Sequence, residues 1–264
     1  MSALGPWPVL LRVGFAGSIA YRAEMVIWFL TTTMPLVMLA LWSAAVADAP
    51  IEGFGQPEFV TYYAAALVVR HLSSSWVIWE INADVRSGAL SMYLLRPLHP
   101  IWLYVAENLG AMPLRLVVLV PIVGVLVTVL PAAPVTSDPV QLLLCAWTLL
   151  CAWVLMFSAQ TIVGLLSLWT GQSLAIWDAF FGLFALLSGY LVPIELFPSS
   201  VRPFADALPF HAMGGLSIEI LMGHLDTAAI LRGVLVQAAW MVVFVLLARA
   251  VWGRGVRRFG AFGG

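Results

Sequence analysis

Six largely apolar stretches, at residues 25–47, 59–79, 112–130, 140–169, 174–192 and 228–251, constrain what this chain can fold into. A helix needs about 20 such residues to cross ~30 Å of hydrocarbon at ~1.5 Å per residue. Within hydrocarbon a helix is the structure that satisfies backbone N–H and C=O groups from inside one segment. The expectation is an all-α, polytopic membrane protein with six transmembrane helices, forming a single domain over residues 1–264. Composition agrees, because 62% of the residues are hydrophobic and 9% are charged, against about 25% charged in a soluble domain. A water-soluble globule is excluded. The fourth stretch exceeds one span, so it must tilt or project, and Gly164 is its candidate bend.

Residues 1–24 hold Pro6 and Pro8 and then Arg12 within an apolar run, without the unbroken core or small-residue cleavage site of a removable signal. Val9, Val13, Ala16 and Ala20 fall on one helical face between Arg12 and Arg22, which suits an interfacial helix on the cytoplasmic membrane surface. With both termini cytoplasmic, Arg12, Arg22, Arg86, Arg96, Arg115, Arg249, Arg254, Arg257 and Arg258 collect inside, and Arg202 and Arg232 remain outside. The positive-inside rule therefore predicts this orientation, in a membrane of the bacterial cytoplasmic (inner) type. Trp28, Trp42, Trp76, Trp79, Trp169 and Trp252, near span ends, fit an interfacial belt.

The segment 193–227 is predicted not to be a seventh span. Glu195, Arg202, Asp206, His211 and Glu219 interrupt every window of bilayer length, and prolines at 198, 203 and 209 divide it. Short re-entrant helices in the outer leaflet are expected, acting as an outer lid over an exit path or as a packed cap.

Several chemistries are closed to the chain. All twelve basic residues are arginine, so a phosphate-binding loop, which needs its lysine, and a Schiff-base site cannot be built. The formal net charge of -1 gives no basic field for nucleic acid. His71, His99, His211 and His224 lack metal-ligand spacing, and Ser188-Gly189 lacks the flanking glycines of a nucleophile elbow. Cys145 and Cys151 lie six residues apart, about 240° around one helix, and cannot meet within it. No catalytic residue and no metal site are expected.

The loop 80–111 is the most informative segment. Asp84 can cap a helix whose first turn holds Val85, Arg86 and Ser87, and Gly88 leaves room for a close neighbour. Val85, Ala89, Met92 and Tyr93 form an apolar stripe, Arg86 and Arg96 provide basic ends, and Pro97 stops the helix. Such a helix can rest on lipid or dock on protein, and the pattern alone leaves both open.

The string IxxDVRSGALSMYLLRPLHP in this loop resembles the cytoplasmic loop of ABC-2-type transporter permeases, most closely the subgroup of about this length. The outer string SGYLVPIELFPSSVRPFADALPFHAMGGLSIEILMG extends the resemblance, with its proline-bounded turn, Leu-Pro-Phe step and glycine-ended short helix. The resemblance implies the membrane subunit of an ATP-driven exporter for an amphiphilic compound. It implies that Asp84, Val85, Arg86, Gly88, Ala89, Met92, Tyr93, Arg96 and Pro97 form a coupling helix docked on a separate ABC ATPase subunit. It also implies a second permease copy or a homologous permease, with ATP and Mg held by the ATPase partner and no cofactor on this chain. Chains without a P-loop lysine suit that division of labour.

Two further groups are candidates for a path. Gln160, Gly164, Ser167 and Gly171 recur on one face of the fourth stretch, where helix packing is the competing account. Arg70 lies roughly 16 Å into the second stretch at ~1.5 Å per residue, where a charge costs at least ~2.5 kcal/mol unless paired or wet. Asp178 is its possible partner, with His71 in the same environment. These residues also allow an ion-coupled secondary transporter, and a non-transporting membrane scaffold or sensor is the alternative of another class.

Overall fold

The computed structural model describes residues 7–20, 27 and 33–261. Among them regular structure is helical, apart from one isolated bridge pairing Ile51 with Phe54. In chain order the helices are α1 (Trp7–Ala20), α2 (Met34–Ala45), α3 (Gln56–Ser73), α4 (Val77–Ser87), α5 (Ala89–Leu94), α6 (Pro100–Gly110) and α7 (Met112–Val129). They continue with α8 (Pro139–Leu165), α9 (Ser167–Thr170), α10 (Leu174–Leu187), a 3-10 turn Ile194–Leu196, α11 (Arg202–Ala207), α12 (Pro209–Ala212), α13 (Gly215–Met222) and α14 (Thr227–Ala261).

Among the described residues three helical stretches are long and apolar enough to cross a membrane, Pro100–Val129, Pro139–Thr170 and Thr227–Arg258. Half of the Pro139–Thr170 window is buried, against 11% of each of the others, which makes α8 the internal support and leaves α7 and α14 largely open to lipid. Asp138 starts α8 by accepting from the Val140 N–H at 2.9 Å, with Pro139 in the first turn where its missing N–H costs nothing. Asp226 serves α14 in the same way, accepting from Ala229 N–H at 2.7 Å.

Among the longer helices α3 is the most enclosed, with α2, α7, α8 and α13 packed around it. Trp42 stacks on Phe59 at 5.2 Å, and Phe59 on Tyr63 at 6.2 Å. Lipid tails are as apolar as these side chains, so close packing and hydrogen bonds hold such helices together rather than hydrophobic transfer. Tyr62 and Tyr63 donate at 2.8 Å to the carbonyl oxygens of Gly189 and Leu191, and Trp42 donates to the same Leu191 oxygen. The irregular chain after α10 is thereby tied to α3. On the other side Gln237 of α14 donates to Thr148 O of α8 and Ala212 O of α12.

The structure departs from the sequence-based outline at three places. The second run does not continue to residue 79: α3 ends at Ser73, and a break at Ser74, Ser75 and Trp76 precedes α4. Consecutive serines compete for their own backbone and weaken a helix there. Residues 100–110, expected in the cytoplasmic loop 80–111, form α6, begun by Pro100 and by His99 Nδ1 accepting from Ile101 N–H. The interruption of the fourth run falls at Leu166 rather than Gly164. Gly164 is instead a contact position, where a Cβ would lie 3.3 Å from Ile81.

Ahead of the runs, α1 packs along α6. A Cβ on Gly110 would approach Phe15 N to 2.6 Å, and one on Gly14 would strike the Ala106 carbonyl oxygen, so the two backbones cross where neither has a side chain. Val9 and Val13, the expected membrane-facing stripe, are exposed. Within 193–227 the helices are short, and no helix continues through Pro203 beyond Ala207. Arg22, Met25, Trp28 and the start of the first run lie outside the described residues.

Candidate functional site

The α4–α5 hairpin holds the residues singled out in the loop. Asp84 does not cap a helix; it lies inside α4, and its Oδ2 accepts from the Tyr104 hydroxyl of α6 at 2.7 Å. Burial raises its carboxyl above the ordinary range, with the Tyr104 bond pulling the other way. Gly88 ends α4 with φ 78°, and a Cβ there would meet nothing within 4 Å in the chain. The glycine therefore answers a backbone need, a left-handed turn, rather than a close approach within the subunit.

That turn re-phases α5 relative to α4 and splits the expected stripe. Val85 packs inward with Leu90, which is fully buried, and with Leu94, against Tyr104 and Trp153. Met92 turns outward at 62% exposure and Leu95 at 81%. Arg86, Arg96 and Pro97 are exposed beside them, Ala89 and Tyr93 are half-buried, and the Arg96 guanidinium lies 5.0 Å from the Tyr93 ring. Sequence reasoning missed Leu90 and Leu95 because the stripe was drawn as one unbroken helix.

Behind the hairpin, the α3–α4 break is a polar joint. Arg115 of α7, counted among the cytoplasmic arginines, is buried, and its Nη1 donates to His71 O at 2.9 Å, Ser74 O at 2.8 Å and Ser74 Oγ at 3.1 Å. Its guanidinium lies 4.5 Å from the Trp76 ring. Gln160 of α8 donates to Ser75 O at 2.8 Å, and Trp76 N–H donates to Asn108 Oδ1 at 3.3 Å. Carbonyls released by the break thus regain donors from α7 and α8, and α6 supplies the acceptor for the Trp76 N–H. At the start of α9, Ser167 Oγ donates to Gly164 O of α8 at 2.6 Å, across the interruption at Leu166. Gln160 and Gly164 thus touch the α3–α4 break and α4, and Ser167 closes on the end of α8.

Arg70 and Asp178 are not brought together. Asp178 is exposed on α10, whereas the Arg70 guanidinium lies 5.0 Å from the Phe181 ring and 5.9 Å from that of Tyr190. His71 is buried on the same helix, its Nδ1 2.8 Å from Leu67 O. A small cleft, with room for about one water, lies beside Arg70, between Ser73 of α3, Ser188 and Tyr190 after α10, and Met213 and Gly214 of the outer segment.

Over this cleft the outer segment gathers its charges. His211 is buried, with Nε2 3.2 Å from Glu219 Oε1 and Nδ1 3.6 Å from Asp206 Oδ1. Burial pulls the imidazole pKa down, but Glu219 and Asp206 together outweigh burial and Arg202, so the net direction is up. Glu195 pairs with His224 at 2.9 Å, a partner that sequence separation hid. Burial raises the Glu195 carboxyl, and His224 opposes it. A Cβ on Gly215 would strike His211 and lie 2.5 Å from Ser188 O, so the outer segment is pressed onto the end of α10.

A family model described as ABC-2 family transporter protein matches residues 27–263. No curated protein matches the chain.

Proposed function

Since the chain belongs to the ABC-2 family of transporter proteins, and is thus an integral membrane permease component rather than an ATPase, we propose that it exports an amphiphilic or lipid-like compound. Membership implies an ABC ATPase partner, which supplies ATP and Mg. On this reading the chain crosses a cytoplasmic-type membrane six times with both termini inside, and pairs with a second copy or a homologous permease. Residues 1–24 lie at the cytoplasmic interface and the segment 193–227 covers the outer end of the path.

The observation that carries the reading is the α4–α5 hairpin. Two large apolar side chains, Met92 and Leu95, project from it beside Arg86 and Arg96, while Leu90 and the Asp84–Tyr104 bond fix its base. Apolar anchors ringed by arginine are what a protein groove recognises. Closure of the ATPase pair on ATP would push this hairpin, and α4 would pass the displacement to the joint below α3.

The test is co-purification in mild detergent followed by reconstitution. A nucleotide-binding subunit should accompany the chain, and outward flux of an amphiphile should require ATP on the ATPase side. Flux that follows a proton gradient without ATP would replace this reading with a secondary transporter, and retention of the phenotype with an inactive ATPase would replace it with a scaffold.

A further inference from the structure

Polar rungs join α4 to α6, which run antiparallel. At the hairpin end the Tyr104 hydroxyl of α6 donates to Asp84 Oδ2 at 2.7 Å, and at the α3–α4 break the Trp76 N–H donates to Asn108 Oδ1 at 3.3 Å. Side chains three and four residues apart share a helical face. Glu80 lies one turn from both Trp76 and Asp84, and Glu107 one turn beyond Tyr104, so the space between the two rungs sets Glu80 against Glu107. Their carboxyl groups stand within hydrogen-bonding reach of each other.

This middle rung lacks a donor. Glu80 Oε1 accepts from the Trp76 indole N–H, while Oε2 is sealed from solvent and finds no N–H or O–H among the described residues. An ionised carboxylate only accepts, so two of them face to face leave that oxygen unsatisfied and oppose like charges. One proton between the pair removes both costs, because a carboxylic acid donates to a carboxylate in a short charge-assisted hydrogen bond. The surrounding charges do not take its place. Arg115 of α7 lies against Trp76 with Nη1 bound to oxygens of His71 and Ser74. Its Nη2 and Glu80 Oε2 are both without a hydrogen-bond partner, so they do not meet. Arg96, after α5, lies over the Tyr93 ring, and Asp84 adds a further acid. Arg12 of α1 and Asp178 of α10 are exposed, and α8 and α9 carry no acid, arginine or histidine. Burial first, and the Glu107 charge next, hold the Glu80 carboxyl well above its ordinary range.

We propose that Glu80 and Glu107 form a proton-binding site, in which one proton held between the two carboxyl groups latches α4, and with it the α4–α5 hairpin, to α6. The proton comes from water at the hairpin and returns to it, past half-buried Asp84 one turn nearer the exposed tip. Its loss leaves two carboxylates in contact, and their repulsion drives α4 away from α6. As a proton site this stands on the α4–α6 contacts alone; as a control on force transmission it rests on the export reading above.

The test uses the full-length permease in phosphatidylcholine nanodiscs as pH is raised from about 5 to about 9, with infrared difference spectra and hydrogen exchange across Val77–Ser87 as readouts. The parent should lose a carboxylic-acid C=O band that shifts in D2O and is missing from both Glu80→Gln and Glu107→Gln. A site that holds its proton more tightly folded than unfolded stabilises at low pH and loses that contribution as pH rises. Exchange in α4 of the parent should therefore quicken at least tenfold beyond the intrinsic rate. In either variant the amide donates to the remaining carboxylate at any pH, so the quickening should fall to within about twofold. Should one variant fail to insert, the other decides both readouts. A band absent from the parent, or unchanged in the variants, overturns the proton site, and exchange in α4 that ignores pH overturns the latch. Failure here with ATP-dependent flux intact removes this inference alone, and a parental band and quickening without ATP-dependent flux remove the export reading alone.

Discussion

Arg115 Nη1 lies 2.8 Å from Ser74 O, one residue beyond the last turn of α3. A cation at a helix C-terminus meets both the unpaired carbonyls and the negative end of the helix dipole. Here the helix is interrupted inside the bundle, so the arginine takes the place of the next turn. Arg115→Ala should strip the Ser74 carbonyl of its donor, leave His71 O with the Ser74 hydroxyl alone, and destabilise the permease by about 2–4 kcal/mol, as lost hydrogen bonds to a charge and a stranded acceptor add. Arg115→Lys should recover part of the loss. A thermal midpoint unchanged in Arg115→Ala would mean that water already serves those carbonyls.

That break also shows where sequence reading stops. The apolar runs reveal which segments belong in hydrocarbon, and the prolines and charges of 193–227 reveal that this segment cannot form a single span. Neither reports where a backbone turns inside a run, because the partners that permit the break, the donors Arg115 and Gln160 and the acceptor Asn108, are far away in sequence. Asp84 read as a cap for a related reason: capping residues are common at helix starts, but its hydroxyl partner Tyr104 stands on another helix. Gly88 was legible as special, though its cause is a φ of 78° rather than a crowded neighbour. The stripe through Met92 was drawn without that turn and so placed one outward residue among inward ones.

The crossing of α1 and α6 gives a second prediction. Gly14→Leu must displace the backbone around Ala106, and overpacking of this kind costs about 1–3 kcal/mol. Because α1 is short and terminal, it should detach rather than unfold the bundle. Cysteines placed at Trp7 and Trp102, whose rings meet at 5.3 Å between the two helices, should be joined by a short bifunctional reagent in the parent and lose cross-linking with Gly14→Leu, while the thermal midpoint stays close to the parental value. Undiminished cross-linking would show that α6 accommodates the side chain.

The third prediction concerns pH and the outer segment. His211 has its pKa raised above the ordinary 6.5, with Glu219, Asp206 and Arg202 as the charges around it. A group whose folded pKa exceeds its unfolded value stabilises fully below the unfolded value, and that stability is lost as pH rises through the folded value. Loosening of 209–222 should therefore begin above about pH 6.5 and grow with pH. Asp206 and Glu195 are also raised, but from ordinary values of 3.8 and 4.5, so their windows begin at lower pH. Hydrogen exchange across Pro209–Met222 should quicken between pH 6.5 and 8.5 beyond the intrinsic rate, and His211→Gln should abolish the excess. Equal protection at both pH values would show that the His211–Glu219 contact contributes nothing.

The last prediction separates the two faces of α5. Leu90 is fully buried against α4 and α6, whereas Leu95 is 81% exposed. Leu90→Ala removes a packed side chain and should lower stability by about 2–5 kcal/mol, whether or not a partner exists. Leu95→Asp removes nothing from the permease core, so the thermal midpoint of the isolated chain should stay within about 0.5 kcal/mol of the parent. Its effect depends on what the tip meets. An ATPase groove would have to desolvate a carboxylate without a built partner, a cost that truncation of a central apolar anchor alone can bring to about 2 kcal/mol or more. A lipid-resting tip would lose interfacial affinity and leave ATPase association unchanged. We expect Leu95→Asp to insert normally, to release the ATPase at least tenfold more readily in a pull-down titration, and to abolish ATP-dependent flux. Parental ATPase affinity together with parental flux would assign the hairpin to the membrane surface and remove it from force transmission.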